Sequence, residues 1–174
     1  FIDWGYNKAY DFVNHAKMLE ELKVKYLLAP GTSTWSSITG RFIDMKETIE
    51  NSTCSSKKYH GLGILLTDWG DMGHLQYLPS SYLGFIYGAM LSWSSGTIED
   101  AEKYLAIILN DETLAKVIVE LSHYHELEGE YRDYGTRLFA SIMWAEHGRR
   151  QDDKVNFFLN RMKSNIISYE AVQK

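Results

Sequence analysis

The chain has 174 residues, of which 45% are hydrophobic, 14% aromatic and 24% charged, with a formal net charge of −5. It is long enough for one domain with a buried core and too apolar for a disordered segment. The acidic balance, without any Lys/Arg run, argues against a nucleic-acid partner. No apolar stretch reaches the roughly 20 residues of a membrane helix, and the lone Cys54 excludes a disulfide framework and an all-cysteine zinc site.

The opening residues, 1–6, are short, apolar and aromatic, as in a buried strand. They lack an initiator Met and any signal-peptide pattern, so the chain is expected to be a fragment of a longer protein. Tyr10, Val13, Met18, Leu19 and Leu22 then recur at helical spacing over 7–23. Residues 25–30 form a second expected strand, ended by Pro30-Gly31, and a Ser/Thr-rich loop runs to Ser37. Phe42, Met45 and Ile49 mark a second helix, expected to fray over 51–56. Residues 61–69 form the clearest buried strand. A loop over 70–80 contains Gly70, Gly73 and Pro79. Residues 82–89 are helical, and 90–93 fit either a last strand or the end of that helix.

After Gly96 the pattern is helical throughout. Thr97 and Asp100 resemble a capping box. Apolar residues then recur over 98–109, 112–127, 136–147 and 153–172, the last with Val155, Phe158, Leu159, Met162 and Ile166. Continuous apolar strands alternating with helices imply a parallel sheet covered by helices. Right-handed crossovers leave an open doubly wound sheet or part of a closed barrel.

Ligands in such folds lie at the C-terminal ends of the strands. Trp4, Trp35, Trp69 and Trp93 each fall where an expected strand gives way to its loop, and only Trp144 lies elsewhere. Indole faces stack on the C–H faces of sugars while the N–H stays free to donate, so the four suggest a pocket rather than core packing. Asp68 and Asp71 flank Trp69, and His74 follows. These three are possible metal ligands, but their spacing matches no metal motif, and a turn-capping Asp71 with a loop histidine is the plainer reading. Residues 123–130, with His123, His125 and Glu126, read as a solvated charged helix end. The sequon Asn51-Ser52-Thr53 is too short a motif to carry weight, and no phosphate-cradling loop or nucleophile elbow is present.

Four blocks occur in order: Trp4-Gly5-Tyr6; Pro30-Gly31-Thr32-Ser33-Thr34-Trp35; Thr67-Asp68-Trp69-Gly70-Asp71-x-Gly73-His74; and Ser81-Tyr82-x-Gly84-Phe85-x-x-Gly88-Ala89. This series resembles a bacterial branch of the family 20 glycoside hydrolases, the β-N-acetylhexosaminidases, over residues 1 to about 95. The resemblance implies an α/β chain that is the C-terminal half of a (β/α)8 TIM barrel. Strands five to eight would lie in 1–96, with a closing helix and helical extension in 97–174. It implies a retaining exo-β-N-acetylhexosaminidase acting on terminal β-linked GlcNAc or GalNAc by substrate-assisted catalysis, without cofactor or metal. The family's catalytic Asp-Glu pair falls ahead of Phe1, so no catalytic residue is expected in this chain.

The substrate-binding set carried over is Trp35, Trp69 and Trp93 for the acetamido cage or sugar platform, Trp4 and Tyr6 for the neighbouring wall, Asp68 or Asp71 for hydrogen bonds, and His74 beside them. Family members carry Asp-x-Tyr at the seventh strand, where this chain has Asp68-Trp69-Gly70. The tyrosine role is therefore open among Tyr6, Tyr77 and Tyr82. The implied partners are a glycan ending in N-acetylhexosamine and either the missing barrel half or a second copy of the chain. The alternatives are a non-catalytic carbohydrate-binding module and an α/β domain with core tryptophans and a protein partner.

Overall fold

The computed structural model describes residues 1–71, 74–128 and 135–143. Strand β1 (Ile2–Trp4) pairs in parallel with β2 (Leu27–Ala29), with Ile2 opposite Leu27 and Trp4 opposite Ala29. The 61–69 segment runs parallel to β2 on its other side, through bridges Leu28–Ile64 and Gly31–Thr67 that share one register. The ladder breaks between them because Pro30 has no N–H to donate. Its carbonyl still accepts from Thr67 N, at 3.0 Å. The described sheet therefore has three extended segments in chain order instead of the four expected.

The difference lies at residues 90–93, which finish helix α3 (Pro79–Trp93). Pro79 sits in the first turn, where its missing N–H costs nothing. Helix α1 (Phe12–Glu21) connects β1 to β2 and starts at Asp11, whose carboxylate accepts from Asn14 N at 3.1 Å. Helix α2 (Phe42–Lys58) connects β2 to the third segment. It does not fray over 51–56. Ser52 and Ser56 are buried, and their hydroxyls donate to Ile49 O at 3.1 Å and Gly63 O at 3.0 Å, so the small polar residues serve close packing. The sequon lies inside this helix.

Alternation along the strands gives the sheet two unlike faces. One face is covered by helices. Leu28 packs with Phe12, Ala16 and Leu19 of α1, and Leu66 packs on the core that α2 and α3 share. Asp3 points to the same side, where it accepts from Tyr10 Oη at 2.7 Å and meets His15 Nδ1 at 3.1 Å. The other face carries Ile2, Trp4, Ala29, Leu65 and Thr67 and borders a cavity. That explains why residues 61–69 are less buried than their sequence suggested: Leu65, on the cavity face, is exposed.

Among the described residues four further helices follow: α4 (Ile98–Leu109), α5 (Glu112–Ser122), α6 (His125–Glu128) and α7 (Arg137–Met143). The expected capping box is present, with Thr97 and Asp100 bonding reciprocally to each other's backbone N–H. Asn110, in the left-handed region at φ 50°, ends α4, and Asp111 caps α5 through Leu114 N at 2.9 Å. Ile98, Ala101, Leu105 and Ala115 join Phe42, Met45, Ile49, Leu83 and Tyr87 in one core. The helix expected over 153–172, the end of that over 136–147, and Trp144 lie outside the described residues.

The expected solvated charged end over 123–130 is solvated only in part: Glu126 is exposed, whereas Tyr124 and His125 turn inward, and 129–130 lie outside the described residues. Tyr124 is buried and shares a bond of 2.6 Å with Thr136. His123 lies against the Phe42 ring with centroids 3.9 Å apart. His125 is largely enclosed, with Nδ1 3.0 Å from Ser122 O. Burial holds its pKa below the ordinary histidine value of 6.5, against the opposing pull of Ser122 O, Asp44 and Glu126.

Two predictions follow from this packing. The unfolded chain takes up a proton on His125 near pH 6.5 that the folded chain resists, so His125 lowers stability progressively as pH falls below that value. Melting curves from pH 8 to 5 should show a shallower acid-side loss for His125→Gln than for the parent chain, and an unchanged slope would refute the assignment. At Gly84, an added Cβ would lie 3.1 Å from Thr32 Cα and 3.3 Å from Met45 Cγ. Gly84→Val should therefore cost about 1–3 kcal/mol, read as a fall of several degrees in Tm.

Candidate functional site

The strand ends gather three of the four strand-end tryptophans around Tyr6. Trp4 stacks on Tyr6 with centroids 5.4 Å apart, and Trp35 meets it edge-on at 4.9 Å. Trp69 lies at 6.3 Å, and its Nε1 donates to Tyr6 Oη at 3.0 Å and to Thr67 Oγ1 at 3.2 Å. Tyr6 and Trp35 are buried, whereas Trp4 is 55% and Trp69 46% exposed. The buried pair thus forms a floor, and the other two indoles offer faces to an incoming group.

Together with Ile2, Ala29, Leu65, Thr67 and Asp71 these rings enclose a cavity of about 520 Å3. That size is usual for small-molecule pockets, which run to roughly 300–1,000 Å3. Its walls are aromatic and aliphatic, with Thr67 Oγ1, Tyr6 Oη and the Asp71 carboxylate as polar groups.

The floor is fixed from below. Gly31 lets the Trp35 ring pack on bare backbone, since a Cβ there would fall 2.5 Å from Trp35 Cη2. The guanidinium of Arg41 stands 5.5 Å over the Trp35 ring. Arg41 is itself held by Asp44 at 3.0 Å, and Asp44 also accepts from Lys8 N at 2.9 Å. This buried pair, at the start of α2, ties the loop after β1 to the loop after β2.

Asp68 has a different place from the one expected. Its Oδ1 accepts from Thr32 Oγ1 at 2.5 Å and Thr34 Oγ1 at 2.9 Å, and its Oδ2 from Ser81 Oγ at 2.9 Å. The carboxylate thereby joins the third segment to the loop after β2 and to the first turn of α3. It does not line the cavity; Asp71 does.

Two other expected site residues are not brought to the aromatic cluster. Trp93 ends α3 and is 91% exposed, because residues 90–93 continue the helix instead of forming a strand whose end would reach the site. His74 is exposed on the following loop, against Gly70, and does not line the cavity. Among the three candidate tyrosines, Tyr77 is exposed and Tyr82 packs on the helical core, which leaves Tyr6 at the site. Among the described residues no cluster of three or more His, Cys, Asp or Glu could hold a metal.

Sequence reasoning missed the lining residues Ile2, Leu65 and Thr67. Their signal was period-two alternation along each strand, which a reading of the segments as buried on both faces had hidden. It also missed the hydroxyl set around Asp68, although Thr32 and Thr34 stand in the same short block as Trp35. No protein-family model, curated protein or solved structure matches the chain.

Asp68 and Asp71 should separate cleanly by stability. Asp68→Ala leaves three buried hydroxyls without their charged acceptor and should cost about 2–3 kcal/mol, or roughly 4–12 °C in Tm. Asp71→Ala, at an exposed position, should stay within about 0.5 kcal/mol. Equal melting temperatures for the two variants would remove Asp68 from its anchoring role.

Proposed function

We propose that the aromatic cavity is the sugar-binding wall of a retaining exo-β-N-acetylhexosaminidase, supplied by the second half of a (β/α)8 barrel. The observation that carries this reading is the cavity of about 520 Å3 at the strand ends, walled by Trp4, Tyr6, Trp35 and Trp69. Apolar ring faces with a few fixed polar groups suit a pyranose, whose C–H faces stack on indole while its hydroxyls seek donors and acceptors. The placement of both strand-connecting helices on one face fits a barrel segment, and fits one βαβαβ half of a doubly wound sheet equally.

In the proposed reaction the substrate's 2-acetamido oxygen attacks the anomeric carbon. A glutamic acid protonates the leaving oxygen, and an oxazolinium ion forms. The same glutamate then draws a proton from the water that opens it. Such chemistry depends on holding the acetamido group in a near-attack position. Trp35 and Tyr6 form the floor of that cage, Trp4 and Trp69 its exposed sides, and the Tyr6 hydroxyl takes the acetamido-positioning role. Asp71 is the only carboxylate among the described residues that line the cavity. It hydrogen-bonds sugar hydroxyls in this scheme, and the Asp-Glu pair comes from outside this wall. Asp68 acts as a positioning residue, through the loop that carries Trp35.

The single lining carboxylate also favours a second reading, a carbohydrate-binding module without catalysis. Titration of the purified chain with N-acetylglucosamine and with glucose, followed by tryptophan fluorescence, tests the shared premise. N-acetylglucosamine should bind more tightly, and Trp69→Ala should weaken it about tenfold, or about 1.4 kcal/mol. Equal binding of the two sugars, or no binding, would overturn the acetamido assignment. The purified chain alone should not hydrolyse an aryl N-acetyl-β-glucosaminide; turnover of about 1 per second or more would place the acid/base within these residues.

A further inference from the structure

The charge pattern of the aromatic cavity points to a second class of ligand. An aromatic ring carries negative potential over its faces and positive potential at its edge. Trp4, Tyr6, Trp35 and Trp69 line the cavity, and Asp71 carries the only formal charge among the described residues that line it. The Trp4 and Trp69 centroids lie 5.4 and 6.3 Å from that of Tyr6. They are therefore at most about 12 Å apart, so a group midway between these two exposed rings lies within the roughly 6 Å at which a ring attracts a cation.

Hydrogen bonding in the wall points the same way. Trp69 Nε1 donates to Tyr6 Oη at 3.0 Å and to Thr67 Oγ1 at 3.2 Å, and Thr67 Oγ1 donates on to Pro30 O at 3.1 Å. The Trp69 N–H and the Thr67 hydroxyl thus use their donor capacity inside the wall. What remains for a ligand is mostly ring surface and the Asp71 carboxylate. The protein already engages one of these rings with a cation, since the Arg41 guanidinium stands 5.5 Å over Trp35 with Asp44 at 3.0 Å as its counter-ion. Arg41 is buried and does not line the cavity.

We infer that this cavity binds a small organic cation, an alkylated ammonium, with its methyl groups against Trp4 and Trp69 and with Asp71 as counter-ion. Alkylation matters because a primary ammonium is compact and strongly hydrated, whereas a methylated nitrogen presents carbon to the rings, as in the aromatic cages that take quaternary ammonium groups. The inference does not rest on the sugar reading. It needs the rings and the carboxylate, and no acetamido group.

NMR titration of the 174-residue chain, followed at the indole N–H resonances, tests it with two probes. One is choline, and the other is the neutral alcohol in which a quaternary carbon replaces the nitrogen of choline. The two share a shape and differ in charge. Choline should bind about tenfold more tightly, shifting the signals of Trp4 and Trp69 and leaving that of Trp93 in place. Asp71→Asn should weaken choline about fivefold and leave the alcohol unchanged. Trp4→Leu keeps apolar surface without the ring quadrupole and should weaken choline about fivefold relative to the alcohol. Equal binding of the two probes, no binding of either, or a choline affinity indifferent to Asp71→Asn would overturn the inference. N-acetylglucosamine on the same sample separates the two readings. Choline binding without N-acetylglucosamine binding upholds the cation site and removes the sugar assignment, and the reverse removes the cation site alone. Where both bind, each should displace the other, and simultaneous binding would put choline outside the cavity.

Discussion

The carboxylate of Asp68 is the constraint on which the site end of the molecule depends. Three hydroxyls converge on it from two other parts of the chain: Thr32 and Thr34 from the loop after β2, and Ser81 from the start of α3. Ser33, between the two threonines, takes the left-handed region at φ 55°, which turns both neighbours toward the same acceptor. The three hydroxyls are also in mutual contact, Thr34 Oγ1 lying 3.1 Å from Thr32 Oγ1 and 2.8 Å from Ser81 Oγ. Pro30 interrupts the backbone ladder here, so these side chains add to the two backbone ties that remain, Thr67 N to Pro30 O at 3.0 Å and Thr32 N to Thr67 O at 2.9 Å. Trp69 follows Asp68 and Trp35 follows Thr34, so both ring positions are set from this node.

The two faces of the sheet hold the fold unequally. On the helix side, Leu28 and Ile49 are fully buried and interlock with α1, α2 and α3. On the other side, Ile2, Trp4, Leu65 and Trp69 remain 42–55% exposed. Burial of apolar surface is the main favourable term in folding, so the helix side supplies most of it. Pocket walls that stay partly wet are the counterpart, since a ligand displaces that water only if the protein has not done so first.

Much of this was legible in the sequence. The order of strands and helices through residue 89, the capping box at Thr97 and Asp100, and the place of Trp4, Trp35 and Trp69 all follow from local periodicity and turn chemistry. What could not be read was tertiary. Met90, Leu91 and Trp93 satisfy strand and helix patterns equally, and only continuation of α3 against α2 and α4 decides between them. Ser52, Thr53, Ser55 and Ser56 look like a fraying end because small hydroxyl residues favour caps and turns, yet they are buried where α2 meets its neighbours. Asp68 stood out as a strand-end carboxylate, but its anchoring contacts could not be read, because its three donors lie 36, 34 and 13 residues away.

The one-sidedness of the sheet has a consequence for how such a chain can change over generations. Ile2, Leu65 and Thr67 border the cavity without joining any of the buried core clusters of the described residues. Exchanges there alter the shape and polarity offered to a ligand while leaving Leu28, Leu66 and the helices behind them in register. Ligand choice and folding are thereby carried by different sets of residues on the same strands. A lineage built on this plan can drift in what it recognises without passing through unfolded intermediates, and an engineer can recombine open-face residues as a library with little loss of soluble product.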